Sequence, residues 1–364
     1  MITYRLAKED DRLAWDAVVH RLARNGTYST LFVWKSVVCE NFGHEGVFLI
    51  AEKDGQIVGI LPGFLSNTLP PRLCQRFPIL TRRFRRWIGH EGLAWDYNGP
   101  WAEGNDEEII DGLICCLEKH AKRSGAVDAV IMAYMGNRLL EELAGRILEK
   151  RGWSKCGYSL SQTFDLTQSE EDLRGQMAKT HRKSLDKFVG AEFEFVEESS
   201  EDSAALVYLC LDETRRRARS KRGESFPVPT IAFFKDLLHR DGGFLARVFA
   251  VKKDAVTYGV HLDTYLGTLV CVKWGGCARL LQGSSLDLGC VYADWIRHKR
   301  KGFTLYDHCW LPPDRAGPLY EFKARFRGDV RVIPHYRKVL SKPKHIVLKT
   351  ASAALRTFQR IRTL

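Results

Sequence analysis

Leu305-Tyr-Asp-His-Cys-Trp310 and Leu319-Tyr-Glu-Phe-Lys-Ala-Arg-Phe-Arg-Gly-Asp329 are the two stretches that decide how this chain is read. The first has the length and composition of a short strand. It follows a basic helical segment, Val291-Tyr-Ala-Asp-Trp-Ile-Arg-His-Lys-Arg300, through a turn at Gly302. The second reads as a helix that sets Phe322, Arg325 and Phe326 on nearby faces, with Lys323 one position off. A packed helix then holds a cation near the end of a strand. That arrangement suits binding an anion or polarising a carbonyl.

Working outward, the chain repeats its own grammar. Val47 to Pro62 reads as a β-hairpin with Asp54-Gly55 at its turn, and Phe244 to Val260 reads as another, with its turn at Lys253-Asp254. Gly259 stands in the second where Gly59 stands in the first. Glu118 to Gly125 and Trp295 to Gly302 are each a basic helix end closed by glycine before a strand, Ala126 to Ala133 and Phe303 to His308. The expected fold is therefore α/β (α+β), with two similar units and mixed, mostly antiparallel sheets. The expected domains are residues 1–165, residues 166–341 and a basic tail or helix at 342–364.

Helices are expected from capping signals at Asn105 to Glu108 and Ser169 to Asp172. The first carries the stripe Ile109, Ile110, Leu113, Leu117 and Ala121; the second is expected to end in Lys179 to Phe188. Another helix is expected to finish in Thr214 to Arg222, and Val330 to Val339 is expected to close the second sheet.

At 364 residues the chain is comfortable for two cores. Its 45% hydrophobic and 27% charged content suits a globular protein. A formal net charge of +12 favours anionic partners, such as phosphorylated cofactors, RNA or an acidic membrane surface, without choosing among them. The ten cysteines form no Cys-x-x-Cys, so free thiols in a reducing cytoplasm are expected and no metal site is. No apolar run is long enough to cross a bilayer, and no stable membrane insertion is expected. No Gly-x-Gly-x-x-Gly, Walker A, Gly-x-Ser-x-Gly or His-Glu-x-x-His sequence occurs, which lowers dinucleotide, kinase, hydrolase and metalloprotease readings.

Acyl transfer to an amine remains. Lys323 is the candidate for stabilising the oxyanion, against a reading as a surface lysine. Asp96, Asp307 and His308 are candidates for taking a proton from the amine; for Asp96 an Asx-turn is the alternative, and for His308 a structural histidine. Arg215, Arg216, Arg217 and His181, Arg182, Lys183 are basic helix ends that suit phosphate or remain solvated.

These features resemble the FemAB-like and BioF2-like branch of the GNAT-fold acyltransferases. The resemblance is carried by the hairpin Phe48 to Leu61, the turn Asp96-Tyr-Asn-Gly-Pro100 and the helix-borne His181-Arg-Lys-Ser-Leu185. The hairpin Phe249 to Leu262 and Glu321-Phe-Lys-Ala-Arg-Phe-Arg-Gly328 complete it, over roughly residues 10–340. It implies two GNAT-like domains with the active cleft mainly by the second. In the family, a Phe-Lys pair lies at the reacting ester and the lysine stabilises the oxyanion; Phe322-Lys323 matches that pair. Arg217, with Arg216 beside it, matches the arginine that contacts acceptor phosphate, and Asp96 lies near the family's acidic position.

The substrate contacts expected with this site are Tyr97, His181, Arg182, Lys183, Arg216, Arg217, Tyr258, Trp274 and Arg325. GNAT enzymes hold the pyrophosphate of CoA on a glycine-rich turn. Gln282, Gly283, Ser284 and Ser285 occupy that place here but depart from the usual Arg/Gln-x-x-Gly-x-Gly/Ala form. No heptad insertion is present, unlike many bridge-forming relatives.

The resemblance implies an aminoacyltransferase with no tightly bound cofactor, using charged tRNA to make an amide on a small amine or peptide; a cytoplasmic location is expected from the cysteines and the lack of an apolar span, and a monomer from the two-domain pattern. The alternatives are an acyl-CoA-dependent N-acyltransferase acting on a sugar amine, and a non-catalytic RNA- or membrane-binding protein of the same fold.

Overall fold

The structure, a computed structural model, describes residues 1–23, 28–67, 85–88, 99–132, 138–199, 202–222, 228–243, 245–254, 256–277, 286–311, 317–348 and 350. The chain folds as an α+β protein with mixed, mostly antiparallel sheets. Its described residues form two compact units, one within residues 1–157 with the chain from Pro334 on, and the other within Tyr158–Ile333. No described helix is long and apolar enough to cross a membrane.

The first unit runs β1 (Ile2–Leu6), α1 (Arg12–Leu22), α2 (Phe32–Phe42), β2 (Glu45–Gly46), β3 (Leu49–Lys53), β4 (Gln56–Leu61), β5 (Phe64–Asn67), β6 (Arg85–Ile88) and β7 (Trp101–Ala102). It continues through α3 (Glu107–Arg123), β8 (Ala126–Met132) and α4 (Arg138–Lys150). The hairpin β3–β4 forms as read. Asp54 and Gly55 both take positive φ, 52° and 77°, as a two-residue loop between twisted strands requires. The α3 cap is displaced by one residue: Asp106, not Asn105, accepts from the amides of Glu108 and Ile109. Its apolar stripe is buried as expected. Trp15, Phe32, Phe48 and Phe64 form an aromatic core in this unit.

This unit also buries charge. Asp128, fully buried on β8, receives Arg86 Nε at 2.6 Å and Arg337 Nε at 2.7 Å. Glu118 accepts from Trp153 Nε1 at 2.8 Å and pairs with Arg151 and Lys338. Burial penalises both carboxylates, but these donors outweigh it and hold both below the usual range.

The second unit runs β9 (Ser154–Asp165), α5 (Glu170–Gln176), α6 (Lys179–Val189), β10 (Glu194–Glu198), α7 (Ser203–Arg222) and α8 (Ile231–His239). There follow β11 (Ala246–Lys253), β12 (Val256–Leu266), β13 (Leu269–Cys277), α9 (Leu286–Arg300), β14 (Leu305–Leu311), α10 (Pro318–Ala324) and β15 (Asp329–Val339). Its strands lie in the order β10-β11-β12-β13-β14-β9, and only β13 and β14 pair in parallel.

Two expectations are corrected. The helix expected to end in Lys179 to Phe188 is two helices. The break falls at Met177 and Ala178, because Met177 is fully buried and the Ala178 amide donates to Arg325 O at 2.8 Å instead of extending α5. His181, Arg182 and Lys183 therefore open α6 rather than close a helix, so the dipole argument for them is lost. The last strand also differs: its residues 335–339 belong to the first unit and pair there with β8.

The core of the second unit gathers Phe164, Leu173, Met177, Trp295, Tyr306 and Phe326. Gly328 is required beside it, since a Cβ there would lie 2.4 Å from the Phe164 ring.

Candidate active site

The site begins where two parallel strands part. β13 and β14 pair only through Leu269–Leu305, Val270–Tyr306 and Cys271–Asp307. Beyond that point the register of β14 against β9 shifts between Asp307 and Trp310. Cys309 takes a positive φ of 54°, which costs a non-glycine residue about 1–3 kcal/mol. Asp307 compensates: its Oδ1 accepts from the Cys309 amide at 2.7 Å and from Ser161 Oγ at 2.6 Å. The bulge re-aims the backbone, and His308 O accepts from Lys323 Nζ at 2.7 Å.

Three contacts fix α10, which carries Lys323. Pro318 starts it at N1, the Ala178 amide holds Arg325 O, and His181 Nε2 lies 3.1 Å from Phe322 O. The Phe322 ring packs on His181 and Phe326 at 5.5 and 5.3 Å. Phe326, fully buried, also packs against His308, Trp295 and Phe164.

The electrostatics follow from this enclosure. Burial lowers the Lys323 ammonium to about 8, while Cys309 and Asp307 oppose the shift. Lys323 thus remains a cation at neutral pH, but a poorly solvated one with an enhanced field. Burial holds His308 well below the usual imidazole value, and the charges of Lys323 and His261 push the same way. His308 is therefore neutral at pH 7.

Beside this corner lies a group that the sequence reading did not single out. His261 and Asp263 share one face of β12, two residues apart, and Asp294 and His298 share one face of α9, four apart; all four are buried. His261 Nδ1 lies 3.2 Å from Asp294 Oδ2, and His298 Nε2 lies 2.8 Å from Asp263 Oδ2 and 3.4 Å from Asp294 Oδ1. Tyr306 donates to Asp294 Oδ2 at 3.0 Å, joining the network to β14.

Burial opposes charge throughout. The Asp294 hydrogen bond nevertheless lifts His261 to about 9, and Asp263 and Asp294 lift His298 to about 9. Burial and the Asp294 charge raise Asp263 to about 7. For Asp294 the two imidazoles outweigh burial and lower its pKa. The group could have been found from His261-x-Asp263 at strand spacing and Asp294-x-x-x-His298 at helix spacing.

Two sets of buried side chains have the ligand types of a metal site: His261, Asp263 and Asp294, and Cys271, Asp307 and Cys309. Within each set the ligand atoms lie within 4.8 Å of one another. The hydrogen bonds above suit protons in the first set equally well.

The structure brings Phe322, Lys323, Asp307, His308 and His181 together. The other expected contacts are engaged otherwise. Arg182 donates to Gly175 O, Lys183 is exposed, and Arg325 is exposed with its partner Glu321 Oε2 at 3.7 Å. Arg215 and Arg216 pair with Asp212 on their own helix, and Arg217 donates to Thr214 Oγ1 at 3.2 Å. Tyr258 packs edge-on to Phe193, and Trp274 is buried against Phe233 and Phe234. Asp96, Tyr97, Gln282, Gly283, Ser284 and Ser285 lie outside the described residues.

No family model and no curated protein matches the chain. Solved structures do match its fold. FemX superposes with a TM-score of 0.72 at 13% identity, over 95% of this chain and 99% of that one. L-PGS from Bacillus licheniformis gives 0.57 at 11% identity, over 98% and 99%. A tandem GNAT protein from the clavulanic acid biosynthesis pathway gives 0.57 at 12% identity, over 94% and 99%.

Proposed function

We propose that the chain is an N-acyltransferase of GNAT type and FemAB-like character, which moves an aminoacyl group from charged tRNA to the amine of a small molecule or peptide. The observation that carries the reading is Lys323. Its ammonium is enclosed at the break between β13 and β14, with its pKa lowered to about 8 and Phe322 beside it.

In this reading the amine nitrogen attacks the ester carbonyl and the oxygen becomes an oxyanion. The Lys323 ammonium stabilises it, and the ribose oxygen then leaves with its electron pair. A poorly solvated cation contributes more to a developing charge than a hydrated one. The likeness of fold to FemX and to a tandem GNAT protein supports the acyl-transfer part. The net charge of +12 supports a polyanionic donor.

Acyl-CoA is the second donor, favoured by the fold of the tandem GNAT protein. In that case the C–S bond breaks and a thiol is released. The test supplies a labelled pool of aminoacyl-tRNAs with lysine or a lysyl dipeptide as acceptor, with and without RNase. A parallel arm supplies acetyl-CoA with glucosamine and reads thiol release. RNase-sensitive product supports the first donor, and thiol release moves the protein to the second. Transfer from neither overturns the reading.

A further inference from the structure

β9 and β14 pair at Thr163–Asp307 and next at Ser161–Trp310, so two residues of β14, His308 and Cys309, stand opposite a single residue of β9, Gln162. Gln162 is fully buried, and neither its Oε1 nor its Nε2 has a hydrogen-bond partner among the described residues. Its neighbour on the other face, Ser161, is satisfied by Asp307 at 2.6 Å. A buried carboxamide with both ends unpaired costs free energy that an apolar side chain of the same shape does not. The fold is less stable for carrying it, as expected of a group kept for a ligand.

Strand alternation places the amide at the reacting corner. Gln162 shares one face of β9 with Leu160 and Phe164, while Ser161 and Thr163 take the other. On the Gln162 face the Phe164 ring lies 6.2 Å from His308 and 6.4 Å from Phe326. The His308 carbonyl, on the bulge opposite Gln162, holds Lys323 Nζ at 2.7 Å. His308 Nδ1 is also buried without a partner among the described residues. Phe322 and Lys323 on α10 are partly exposed, which leaves a way in from that side.

We propose that the Gln162 carboxamide binds the aminoacyl end of the donor: Nε2 donates to the ester carbonyl oxygen that Lys323 stabilises, and Oε1 accepts from the α-amino group. The inference rests on the acyl-transfer reading and deepens it by naming what is recognised. The two unpaired atoms set the chemistry of the ligand. Oε1 only accepts and Nε2 only donates, so the ligand must offer an acceptor and a donor side by side. An aminoacyl ester does so through its carbonyl oxygen and its α-amino group. An acetyl group offers the acceptor alone and would leave Oε1 unpaired. Gln162 takes no proton and forms no covalent bond. It orients the carbonyl toward the Lys323 ammonium and selects the acyl group.

The test uses the full-length protein and two donors: an aminoacyl-tRNA that supports transfer, and its des-amino counterpart, in which hydrogen replaces the α-amino group. The wild type is expected to favour the first by about 10-fold or more in kcat/KM. Gln162→Met is expected to lower kcat/KM about 100-fold for the aminoacyl donor and about 10-fold for the des-amino donor, so that the preference disappears. Its melting temperature is expected to hold or rise, because a buried unpaired amide has been removed. A residue that only packs the core would lower transfer from both donors equally and leave the preference in place.

A preference retained in Gln162→Met, or no preference in the wild type, overturns the proposal while leaving the acyl-transfer reading intact. Thiol release from acetyl-CoA with no transfer from tRNA overturns it as well, since that acyl group has no α-amine. Absence of transfer from either class of donor overturns both. If Gln162→Met fails to fold, the side-chain NH2 resonances of Gln162 in the wild type decide. They are expected to shift when a stable, amide-linked aminoacyl-adenosine is added, and no shift overturns the proposal.

Discussion

Asp128 in the first unit and Asp294 in the second are both fully buried carboxylates on regular elements, yet they do different work. Asp128 is bound by two guanidinium groups, from Arg86 and Arg337, which stay charged at any ordinary pH. Asp294 is bound by the Tyr306 hydroxyl and by two imidazoles, groups that can release a proton. The first unit has spent its buried charge on permanent ion pairs. The second holds His261, His298, Asp263 and Lys323, whose pKa values lie between about 7 and 9. Proton exchange near neutrality is what acid–base chemistry needs, and its concentration in one unit supports placing the chemistry there.

The largest expected effect that tests this comparison is on stability. Asp128→Ala leaves Arg86 and Arg337 without their buried partner and should destabilise the fold by about 3–5 kcal/mol, read from denaturant midpoints. The pH dependence of transfer by the folded protein should not change, and a changed dependence would mean that the two charge groups are not separate in function.

A smaller effect distinguishes the units by pH. His261 and His298 titrate higher in the fold than the unfolded value of 6.5. Their contribution is therefore complete below about pH 6.5 and is lost as pH rises through about 9. Asp263, raised to about 7, acts in the same direction, because the unfolded chain releases that proton first. Lys323, lowered from 10.5 to about 8, acts in the opposite direction above pH 8. Asp128 and Glu118 are lowered carboxylates, so their contribution is lost only in acid. Hydrogen exchange corrected for intrinsic rates should show protection of β12 and α9 falling between pH 6.5 and 9 while β8 and α3 hold steady. Equal loss in both units would contradict the contrast.

The smallest effect concerns Arg216, whose side chain is 74% exposed beside Asp212. Arg216→Ala should change stability by no more than about 0.5 kcal/mol. If it touches donor phosphate, the log–log salt dependence of tRNA binding should lose about one unit of slope. An unchanged slope would make it a solvated pair only.

Much of the scaffold was legible. The first hairpin followed from turn chemistry; in the second, Lys253 still pairs with Val256, so the turn begins one residue later than expected, at Asp254. Both shift register just after the residue that pairs with the glycine, at Ala51 opposite Gly59 and at Val251 opposite Gly259. The α3 stripe followed from period alone. That Lys323 meets the strand at His308 was legible because a short strand and a short helix in succession leave few places for a cation.

The break at Ala178 was not legible, because it depends on a hydrogen bond to Arg325, well over a hundred residues away in the chain. The Cys309 bulge was missed for the same reason: Ser161 on another strand helps hold the Asp307 carboxylate that supports it. The four-residue network was split between a strand and a helix. Each half looked like ordinary polar residues until the fold packed the two faces together.

The measurement closest to the central claim is single-turnover transfer by Lys323→Ala, with donor affinity measured alongside. We predict a rate lower by about 10²–10³-fold, as for loss of an oxyanion donor, with donor affinity changed far less. Equal losses in rate and affinity would contradict the oxyanion role and make Lys323 a binding contact.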